Sequence, residues 1–340
     1  MHDRSYERLN DIAATLLGQR VDAVTAVGNG GENRLWKVSA AGQAFALKTY
    51  PRPRPGQHDP LTTEFTALSF LHRHGITDVP RPVKADSGFY AAVYAWIEGT
   101  PLTAPGRADV DAITGFLERI QALRTGEDAF ALEPAESACL SALAAVEQTD
   151  TRLERLKDRG GGFPDLHRFI MDDLEPAAEK AAVAAYHGFQ DLGLSFDQPL
   201  PRAKQWLSPA DFGCHNILKS PDGRLVFLDF ERFGRDDPVK LVADTLLHPD
   251  TLLPLPLAQR FLEGMGGLFD EQQWFLFRAR FQWLYPLYGV LWCMSILNAF
   301  LTERGERRFL VGGRLERETA IARRLAAARA ALARAHLPAL

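Results

Sequence analysis

Cysteine is scarce in this 340-residue chain, which contains only Cys139, Cys214 and Cys293. Three cysteines without the paired spacing of metal ligands exclude a disulfide framework and a cysteine-type zinc site. Such low cysteine usage fits a reducing compartment, so we expect a cytoplasmic protein.

The chain also lacks an excess of positive charge, because its 43 aspartate and glutamate residues outnumber its 39 lysine and arginine residues. The resulting net charge of −4 gives no general attraction to nucleic acid or to an anionic membrane. We therefore expect no nucleic-acid partner. Residues 1–18 are charged and helical in pattern, and they lack the apolar core of a secretory signal.

Long apolar runs are absent except for Phe281 to Leu301, which has about the length of a membrane-spanning helix. Three residues unsuited to a spanning helix interrupt this run, namely Gln282, Pro286 and Asn298. We therefore expect a buried helix or helix pair here and no stable membrane insertion.

The first hundred residues read as β-strands with one inserted helix. Short apolar runs bounded by turn residues predict strands at Val21–Val27, Leu35–Ser39, Gln43–Tyr50, Arg81–Ala85 and Phe89–Ile97. Residues 51–60 are too rich in proline to continue a strand. Leu61 to His74 then has the apolar spacing of a helix.

The pattern changes at residues 98–101, beyond which the chain is mainly helical. Apolar periodicity predicts helices at Ala108–Arg124, Ala135–Val146, Leu166–Gly188 and from Pro238 onward. The sequence thus predicts an α+β protein of two lobes. The predicted domains are a small β-rich N-terminal lobe at residues 1–97 and a larger, mainly helical C-terminal lobe at 98–340.

The predicted helical lobe contains one hairpin, at residues 207–230. Ser220-Pro221-Asp222-Gly223 has the composition of a β-turn, because proline fixes φ and glycine closes the turn. Counting outward from this turn pairs Lys219 with Arg224 on the flanking strands.

Three polar residues of this hairpin have the chemistry of a phosphate-handling site. The predicted pairing sets Asn216 opposite Phe227, and Asp229 is then a diagonal neighbour of Asn216 at ~7–8 Å. Carboxylate and amide oxygens are ligands that magnesium prefers when phosphate supplies the remaining oxygens. Asp211, on the loop before the hairpin, is free to deprotonate an attacking hydroxyl.

This spacing resembles a known set of catalytic motifs. Asp211-x4-Asn216, followed thirteen residues later by Asp229-Phe230-Glu231, is similar to the motifs of the aminoglycoside phosphotransferase and choline kinase superfamily. The resemblance implies a protein-kinase-like fold that transfers the γ-phosphate of ATP to a hydroxyl of a small metabolite. It also implies that Asp211 is the catalytic base, that Asn216 and Asp229 bind Mg2+, and that ATP and Mg2+ are the cofactors.

The glycines of residues 28–31 support the same resemblance to kinases. Gly28, Gly30 and Gly31 lie between two predicted strands, whereas dinucleotide and Walker loops lead from a strand into a helix. A glycine-containing turn between two strands resembles the loop that covers ATP phosphates in kinases.

Five further cofactor-binding residues follow from the resemblance. Folding the hairpin at Ala41 places Lys48 level with Arg34, and Lys48 resembles the strand lysine of the family. Glu64 matches the glutamate that pairs with this lysine. Without the downstream motif, a solvated strand lysine would be the preferred interpretation of Lys48. The position of the adenine-binding hinge is occupied by Tyr94, Trp96 and Ile97.

The chain departs from the family pattern at two places. Pro209 stands where relatives carry a histidine before the catalytic aspartate, and His215 is a candidate for a compensating hydrogen bond. Lys240 stands near a position where an acidic residue is common, and Asp244 is a candidate to take over that role. These departures leave open an alternative, a nucleotide-binding pseudokinase that acts as a regulator without transferase activity.

The acceptor is expected to bind to the C-terminal helices, as in the relatives. A pocket for a polycation would need many acids, whereas this segment offers Arg278, Arg280 and several large aromatic residues beside only scattered acids. Aromatic rings stack against sugar faces, and arginines suit carboxylate or phosphate. We therefore expect a sugar-like or anionic hydroxylated metabolite, contacted by residues from the set Arg278, Arg280, Trp283, Tyr285, Tyr288 and Trp292.

Overall fold

The structure, a computed structural model, describes residues 3–28, 34–160, 162–301 and 314–335. Strands dominate the N-terminal part and helices the C-terminal part, so the predicted α+β class is confirmed. By their internal contacts the residues form two compact units. The first unit comprises Met1–Ala104, Gly115–Ser137 and Leu207–Arg235, and the second comprises Pro105–Thr114, Ala138–Trp206 and Asp236–Leu340. The predicted lobes 1–97 and 98–340 follow chain order and remain a prediction.

The described strands form three sheets. In chain order they are β1 (Ala23–Ala26), β2 (Arg34–Ala40), β3 (Gln43–Thr49), β4 (Pro82–Asp86), β5 (Ala91–Ala95), β6 (Thr100–Pro101), β7 (Trp206–Ser208), β8 (Ile217–Lys219), β9 (Leu225–Phe227) and β10 (Gly234–Asp236). The largest sheet is antiparallel with the order β1-β2-β3-β5-β4, a second has the order β6-β8-β9, and β7 pairs with β10.

Because side chains alternate along each strand, one face of the large sheet packs on the core and the opposite face carries Lys48. Phe45 and Leu47 of β3 are buried together with Trp36 and Val38 of β2, against helix α1 (Asp3–Leu17). Because successive strand residues point to opposite faces, Lys48 lies on the other side of β3. The sheet therefore presents this lysine away from the α1 core.

The register of the β2–β3 hairpin differs by one residue from the prediction. Lys48 pairs with Leu35, and not with Arg34 as predicted. The cause is the two-residue turn at Ala41 and Gly42, which both have positive φ, 49° and 73°. Such a turn matches the twist of the two strands and fixes the pair that flanks it.

Helix α2 (Pro60–Arg73) crosses after this hairpin, where the sequence predicts a helix from Leu61 to His74. Its N-cap is Asp59, whose side chain accepts a hydrogen bond from the Thr62 backbone N–H at 3.2 Å. Proline at the first helical position suits the helix start because its missing N–H would have no partner there. This start places Glu64 one turn into the helix, where it is buried.

The β8–β9 hairpin also corrects the predicted register. Ile217 pairs with Phe227 and Lys219 with Leu225, one residue away from the predicted pairing of Lys219 with Arg224. The turn contains three residues instead of two, because the Ser220 backbone N–H donates to the Arg224 carbonyl at 2.9 Å. Gly223 closes it with φ 84°, as three-residue hairpin loops require.

The second unit consists mainly of helices around an apolar core. The helices after α2 are α3 (Arg107–Ala122), α4 (Glu127–Phe130), α5 (Ala142–Gly160), α6 (Pro164–Phe169), α7 (Glu175–Asp191), α8 (Pro238–Leu247), α9 (Leu255–Gly266), α10 (Glu271–Leu297) and α11 (Arg314–Arg334). Of these, α5 to α11 lie wholly within the second unit. Residues Ile170–Leu174 form a π-helical turn between α6 and α7. One core cluster joins residues of α5, α6, α7, α10 and α11.

One predicted helix boundary is wrong. The sequence predicts a helix over Ala135–Val146, but α5 begins only at Ala142. Pro134 forms a bridge with Arg235 instead, and the Ala135 backbone N–H donates to the Arg235 carbonyl at 2.9 Å. This pairing with a distant segment overrides the local helical pattern.

The long apolar run lies in α10 as the sequence predicts. The segment Glu271–Phe300 is long and apolar enough to cross a membrane, but 61% of its most apolar stretch is buried inside the protein. A core helix has this property as well, and α10 contributes Val290, Met294 and Leu297 to the core.

Candidate active site

The amine of Lys48 lies among three carboxylates. Its Nζ atom is 2.7 Å from Glu64 Oε2, 2.6 Å from Asp229 Oδ1 and 3.1 Å from Glu231 Oε2. Burial by itself lowers the pKa of Lys48, but the three negative charges outweigh it and hold the pKa well above its usual value. The lysine therefore stays charged at neutral pH.

Glu64 joins two segments of the chain at this point. Its Oε2 atom accepts from Lys48 on β3, and its Oε1 atom accepts from the Phe230 backbone N–H at 3.3 Å. Burial raises the pKa of Glu64, against the attraction of Lys48, which lowers it. A carboxylate this deeply buried depends on such partners, because an unpaired charge is costly away from water.

Two buried tyrosines lie behind this ion pair, and the sequence interpretation missed one of them. The Tyr50 hydroxyl donates to Glu64 Oε2 at 2.7 Å, and its oxygen lies 2.7 Å from the Tyr94 hydroxyl. Tyr94 is one of the predicted hinge residues, whereas Tyr50 carries no predicted role. The two-residue spacing of Lys48 and Tyr50 is the sequence signal that could have found it, because alternate strand residues share a face.

Asp229 is held in an unusual backbone conformation directly after β9. Its φ is 63°, in the left-handed region that residues other than glycine seldom adopt. The Leu228 backbone N–H donates to the Asn216 carbonyl at 2.8 Å, which anchors this conformation to the neighbouring strand. Such strain persists where the surrounding structure imposes it, often at functional sites.

Asp211 and Asn216 belong to one tight loop between β7 and β8. The Asp211 backbone N–H donates to the Pro209 carbonyl at 2.9 Å, and Asn216 Nδ2 donates to the Asp211 carbonyl at 3.0 Å. Ala210 has φ 66°, so the loop bends sharply just before Asp211. His215 Nε2 lies 4.0 Å from Asp211 Oδ1, too far for a direct hydrogen bond between these two atoms.

A cavity of about 680 Å³ in the first unit brings many of these groups together, and its size is typical of small-molecule sites. Its apolar walls include Val27, Leu35, Ala46, Leu218 and Leu228. The predicted site residues that line it are Lys48, Glu64, Tyr94, Trp96, Ile97, Asn216 and Asp229.

Two predicted site residues within the described part of the chain do not line this cavity. Gly28 and Asp211 are described by the structure but are not among its lining residues. Gly28 has φ 66°, a conformation that favours glycine. Gly30 and Gly31 lie outside the described residues.

The cavity contains an acidic group with the chemistry of a cation site. Carboxylate oxygens of Glu64, Asp229 and Glu231 all lie within 4.8 Å of one another. Hard cations such as magnesium prefer oxygen ligands of this kind. Asn216, the second predicted metal ligand, lines the same cavity. Glu231 belongs to the sequence motif but has no predicted role. Burial raises its pKa, against the attraction of Lys48.

The aromatic and basic residues predicted to contact the acceptor divide into two sets within the second unit. Arg278, Trp283 and Tyr285 line a second cavity, of about 820 Å³. The ring of Trp283 packs on Gly188, where a Cβ atom would approach it to 2.3 Å. The other three residues do not line this cavity, and two of them pair with α8 or its N-cap.

These contacts are made with Asp237 at the N-cap of α8 and with Asp244 within the helix. Arg280 forms an ion pair with the N-cap residue Asp237. Trp292 Nε1 donates to Asp244 Oδ1 at 2.9 Å, and the opposite oxygen of Asp244 forms an ion pair with Lys240. The Lys240 amine is also 3.6 Å from Asp236 Oδ2. Asp244 is thus already paired with a cation inside its own unit.

Comparison with known proteins gives a family match over most of the chain. A model of the phosphotransferase enzyme family matches residues 23–274. No curated protein matches the sequence significantly.

Solved structures of small-molecule kinases resemble the chain over nearly its whole length. An ethanolamine kinase from Plasmodium vivax is 13% identical with a TM-score of 0.59, covering 93% of this chain and 82% of that one. A spectinomycin phosphotransferase solved with ADP and spectinomycin is 12% identical with a TM-score of 0.63, covering 96% and 98%. A choline kinase from Streptococcus pneumoniae is 15% identical with a TM-score of 0.61, covering 98% and 100%. Likeness at such low identity concerns the fold alone, and it confirms the predicted protein-kinase-like fold.

Proposed function

The chain belongs to the phosphotransferase enzyme family, and from that premise we propose that it is an ATP-dependent kinase of a small metabolite. It moves the γ-phosphate of ATP to a hydroxyl group, and it works in the cytoplasm. One observation supports the proposal above all others. Lys48, Glu64 and Asp229 come from three different segments of the chain, with Asp229 181 residues beyond Lys48, yet both carboxylates lie within 2.7 Å of the Lys48 amine.

The proposed roles follow the chemistry of each side chain. Lys48 contacts the phosphates of ATP, and Glu64 holds its amine in place. Asp229 and Asn216 would hold magnesium, which when bound neutralises the charge on the phosphates. Asp211 orients the acceptor hydroxyl and takes its proton. Positioning and charge supply most of the catalysis, because phosphoryl transfer needs little covalent help.

The remaining cofactor-binding residues are proposed to hold the rest of the nucleotide. Tyr94, Trp96 and Ile97 line the cavity at one strand end, where their backbone can contact adenine. The segment of Gly28, Gly30 and Gly31 is proposed to cover the phosphates. The apolar walls of the cavity suit a planar base.

The acceptor is proposed to be a neutral or anionic hydroxylated metabolite. The observation that favours this class is the pairing of Asp244 with Lys240 and of Asp237 with Arg280. An acid that is already neutralised offers little attraction to an ammonium group. A polycation or a quaternary amine would therefore gain less from these residues than a sugar or a hydroxy acid.

Release of ADP from MgATP in the presence of candidate acceptors tests the proposal. The panel contains sugars, hydroxy acids, choline and aminoglycosides. We expect turnover with a sugar or hydroxy acid, and a loss of about 100-fold or more in Asp211→Asn. Asp222→Asn is the matched control, because Asp222 is exposed in the turn of the same region. Equal turnover in Asp211→Asn would contradict the assigned base, and preference for aminoglycosides or choline would contradict the acceptor class.

A second candidate function is a nucleotide-binding pseudokinase. The observation that favours it is Pro209, which occupies the position where relatives carry a histidine. This alternative predicts that MgATP binds but that no acceptor in the panel is phosphorylated. Transfer to any acceptor at an enzyme-like rate would exclude it.

A further inference from the structure

A line of buried hydroxyl groups leads from the cavity wall to the Lys48–Glu64 pair. Tyr94 lines the cavity, Tyr50 lies behind it, and the hydroxyl oxygens of the two tyrosines are 2.7 Å apart. Tyr50 then reaches Glu64 Oε2 at 2.7 Å, the same oxygen that accepts the Lys48 amine. All four side chains belong to residues that are less than 10% exposed.

The direction of these hydrogen bonds follows from the donors available. A carboxylate only accepts hydrogen bonds, so the single proton of Tyr50 is directed to Glu64. The Tyr50 oxygen must therefore accept from Tyr94. Burial, and after it the charge of Glu64, raises the pKa of both tyrosines well above the usual value, so both hydroxyls keep their protons.

Tyr50 also contacts the lysine directly. The Lys48 amine lies 5.1 Å from the centre of the Tyr50 ring, within the range of a cation–π contact. The ring thus packs against the cation while the hydroxyl fixes the carboxylate that pairs with it. Tyr50 is restrained in turn, because its backbone N–H donates to the Tyr90 carbonyl at 2.9 Å.

We propose that Tyr50 is a positioning residue that aims Lys48 at the phosphates of the nucleotide by holding Glu64. This inference rests on the proposed function. Tyr50 acts through Glu64 and touches no reacting atom. Tyr94 supports it from the cavity wall, so the line Tyr94–Tyr50–Glu64 connects the proposed base-binding end of the cavity with the phosphate-binding lysine.

The phosphates of the ligand distinguish this role from a structural one. Adenosine has no phosphate for Lys48 to contact, whereas MgATP does. Loss of the Tyr50 hydroxyl should weaken binding of MgATP and leave binding of adenosine nearly unchanged. A residue that merely stabilised the cavity would affect both ligands alike.

Calorimetric titration of the full chain with MgATP and with adenosine tests the proposal. We expect Tyr50→Phe to bind MgATP about tenfold more weakly, the usual effect of losing a hydrogen bond to a charged group, and to bind adenosine within about twofold of wild type. Tyr94→Phe should weaken MgATP only about two- to threefold, because Tyr50 can still donate to Glu64. Tyr186→Phe removes an exposed hydroxyl of α7 and is the control.

A double-mutant cycle shows whether Tyr50 acts through Glu64. In the Glu64→Gln background, Tyr50→Phe should cost less than about twofold, because the charged acceptor is already gone. Unchanged MgATP affinity in Tyr50→Phe, or equal losses for MgATP and adenosine, would overturn the positioning role alone. Absence of MgATP binding in the wild type would overturn the proposed function and this role together. If Tyr50→Phe does not fold, a Tyr94→Phe variant with unaltered MgATP affinity would still refute the connected line.

Discussion

Lys48 Nζ lies 2.6 Å from Asp229 Oδ1, although 181 residues separate the two along the chain. The contact joins the N-terminal sheet to the segment after β9 within the first unit. Because Glu64 and Glu231 also contact this amine, one cation balances three carboxylates. Removal of that cation should therefore affect the fold as well as the ligand site.

Lys48→Met is expected to destabilise the protein by about 3 kcal/mol, because the buried Glu64 loses its cationic partner. The measurement is the free energy of unfolding in urea. Lys37→Met is the matched control. Lys37 lies on the neighbouring strand β2, and its amine is 2.6 Å from a carboxylate oxygen of the exposed Glu98. A solvent-exposed pair of this kind contributes little to stability, because water and salt screen its charges. Equal losses in both variants would contradict the role of the buried cluster.

Gly188→Ala is expected to destabilise the second unit by about 2–3 kcal/mol. A Cβ atom at residue 188 would lie 2.3 Å from the rigid ring of Trp283. Gly115→Ala is the control, because the nearest atom to its added Cβ is the flexible tip of Arg119 at 3.9 Å. That substitution should be neutral or stabilise the helix by about 0.5–1 kcal/mol. Thermal unfolding of both variants measures the difference, and a neutral Gly188→Ala would contradict the packing of Trp283.

The free energy of unfolding should depend on pH because of the buried carboxyl group of Asp236. Burial raises the pKa of Asp236 to about 7, against the attraction of Lys240. A carboxyl group whose pKa is raised by folding stabilises the protein below its unfolded pKa and loses that contribution as the pH rises toward 7. The wild type should thus lose stability between pH 4 and pH 8 relative to Asp236→Asn, by a few kcal/mol at most. Urea unfolding at both pH values measures this, with the exposed Asp158→Asn as control, and parallel curves would contradict it.

The three cysteines should be inert in the native protein. Cys139, Cys214 and Cys293 are all buried thiols that form no disulfide, and burial raises the pKa of Cys139 and of Cys293 to about 12. A thiol reacts through its thiolate, so both factors suppress modification. Ellman's reagent at pH 8 should react with none of them rapidly in the native state and with all three in denaturant. Rapid native reaction at any cysteine would contradict the described packing.

The sequence predicts most of the β-rich part of the fold because its turns and strand patterns are local. Each predicted strand of the first hundred residues overlaps an observed one, and α2 begins within one residue of the predicted start. Both hairpin registers are wrong by one residue because they depend on turn length. The two-residue turn at Ala41 and the three-residue turn closed by Gly223 are geometric choices that composition alone does not decide.

A residue of the candidate site can be predicted where a sequence motif includes it. It cannot be predicted where only tertiary contacts bring it to the site. Lys48, Glu64 and Asp229 carry recognisable sequence positions, and the structure brings them together. Tyr50 and Glu231 lie two residues after Lys48 and Asp229, but neither spacing identifies the group that each contacts, because those partners are set by the tertiary structure. The wrongly predicted helix start at Ala135 also results from a tertiary contact, because the Ala135 backbone N–H donates to the carbonyl of the distant Arg235.

Calorimetric titration with ATP in the presence and absence of MgCl2, comparing wild type with Asp229→Asn, tests the central claim most directly. Asparagine tolerates the left-handed backbone of residue 229 and removes only the charge. The account predicts magnesium-dependent ATP binding that weakens at least about tenfold in Asp229→Asn and is unchanged in Asp222→Asn. Absence of ATP binding, or binding indifferent to magnesium and to Asp229, would contradict the proposed kinase site.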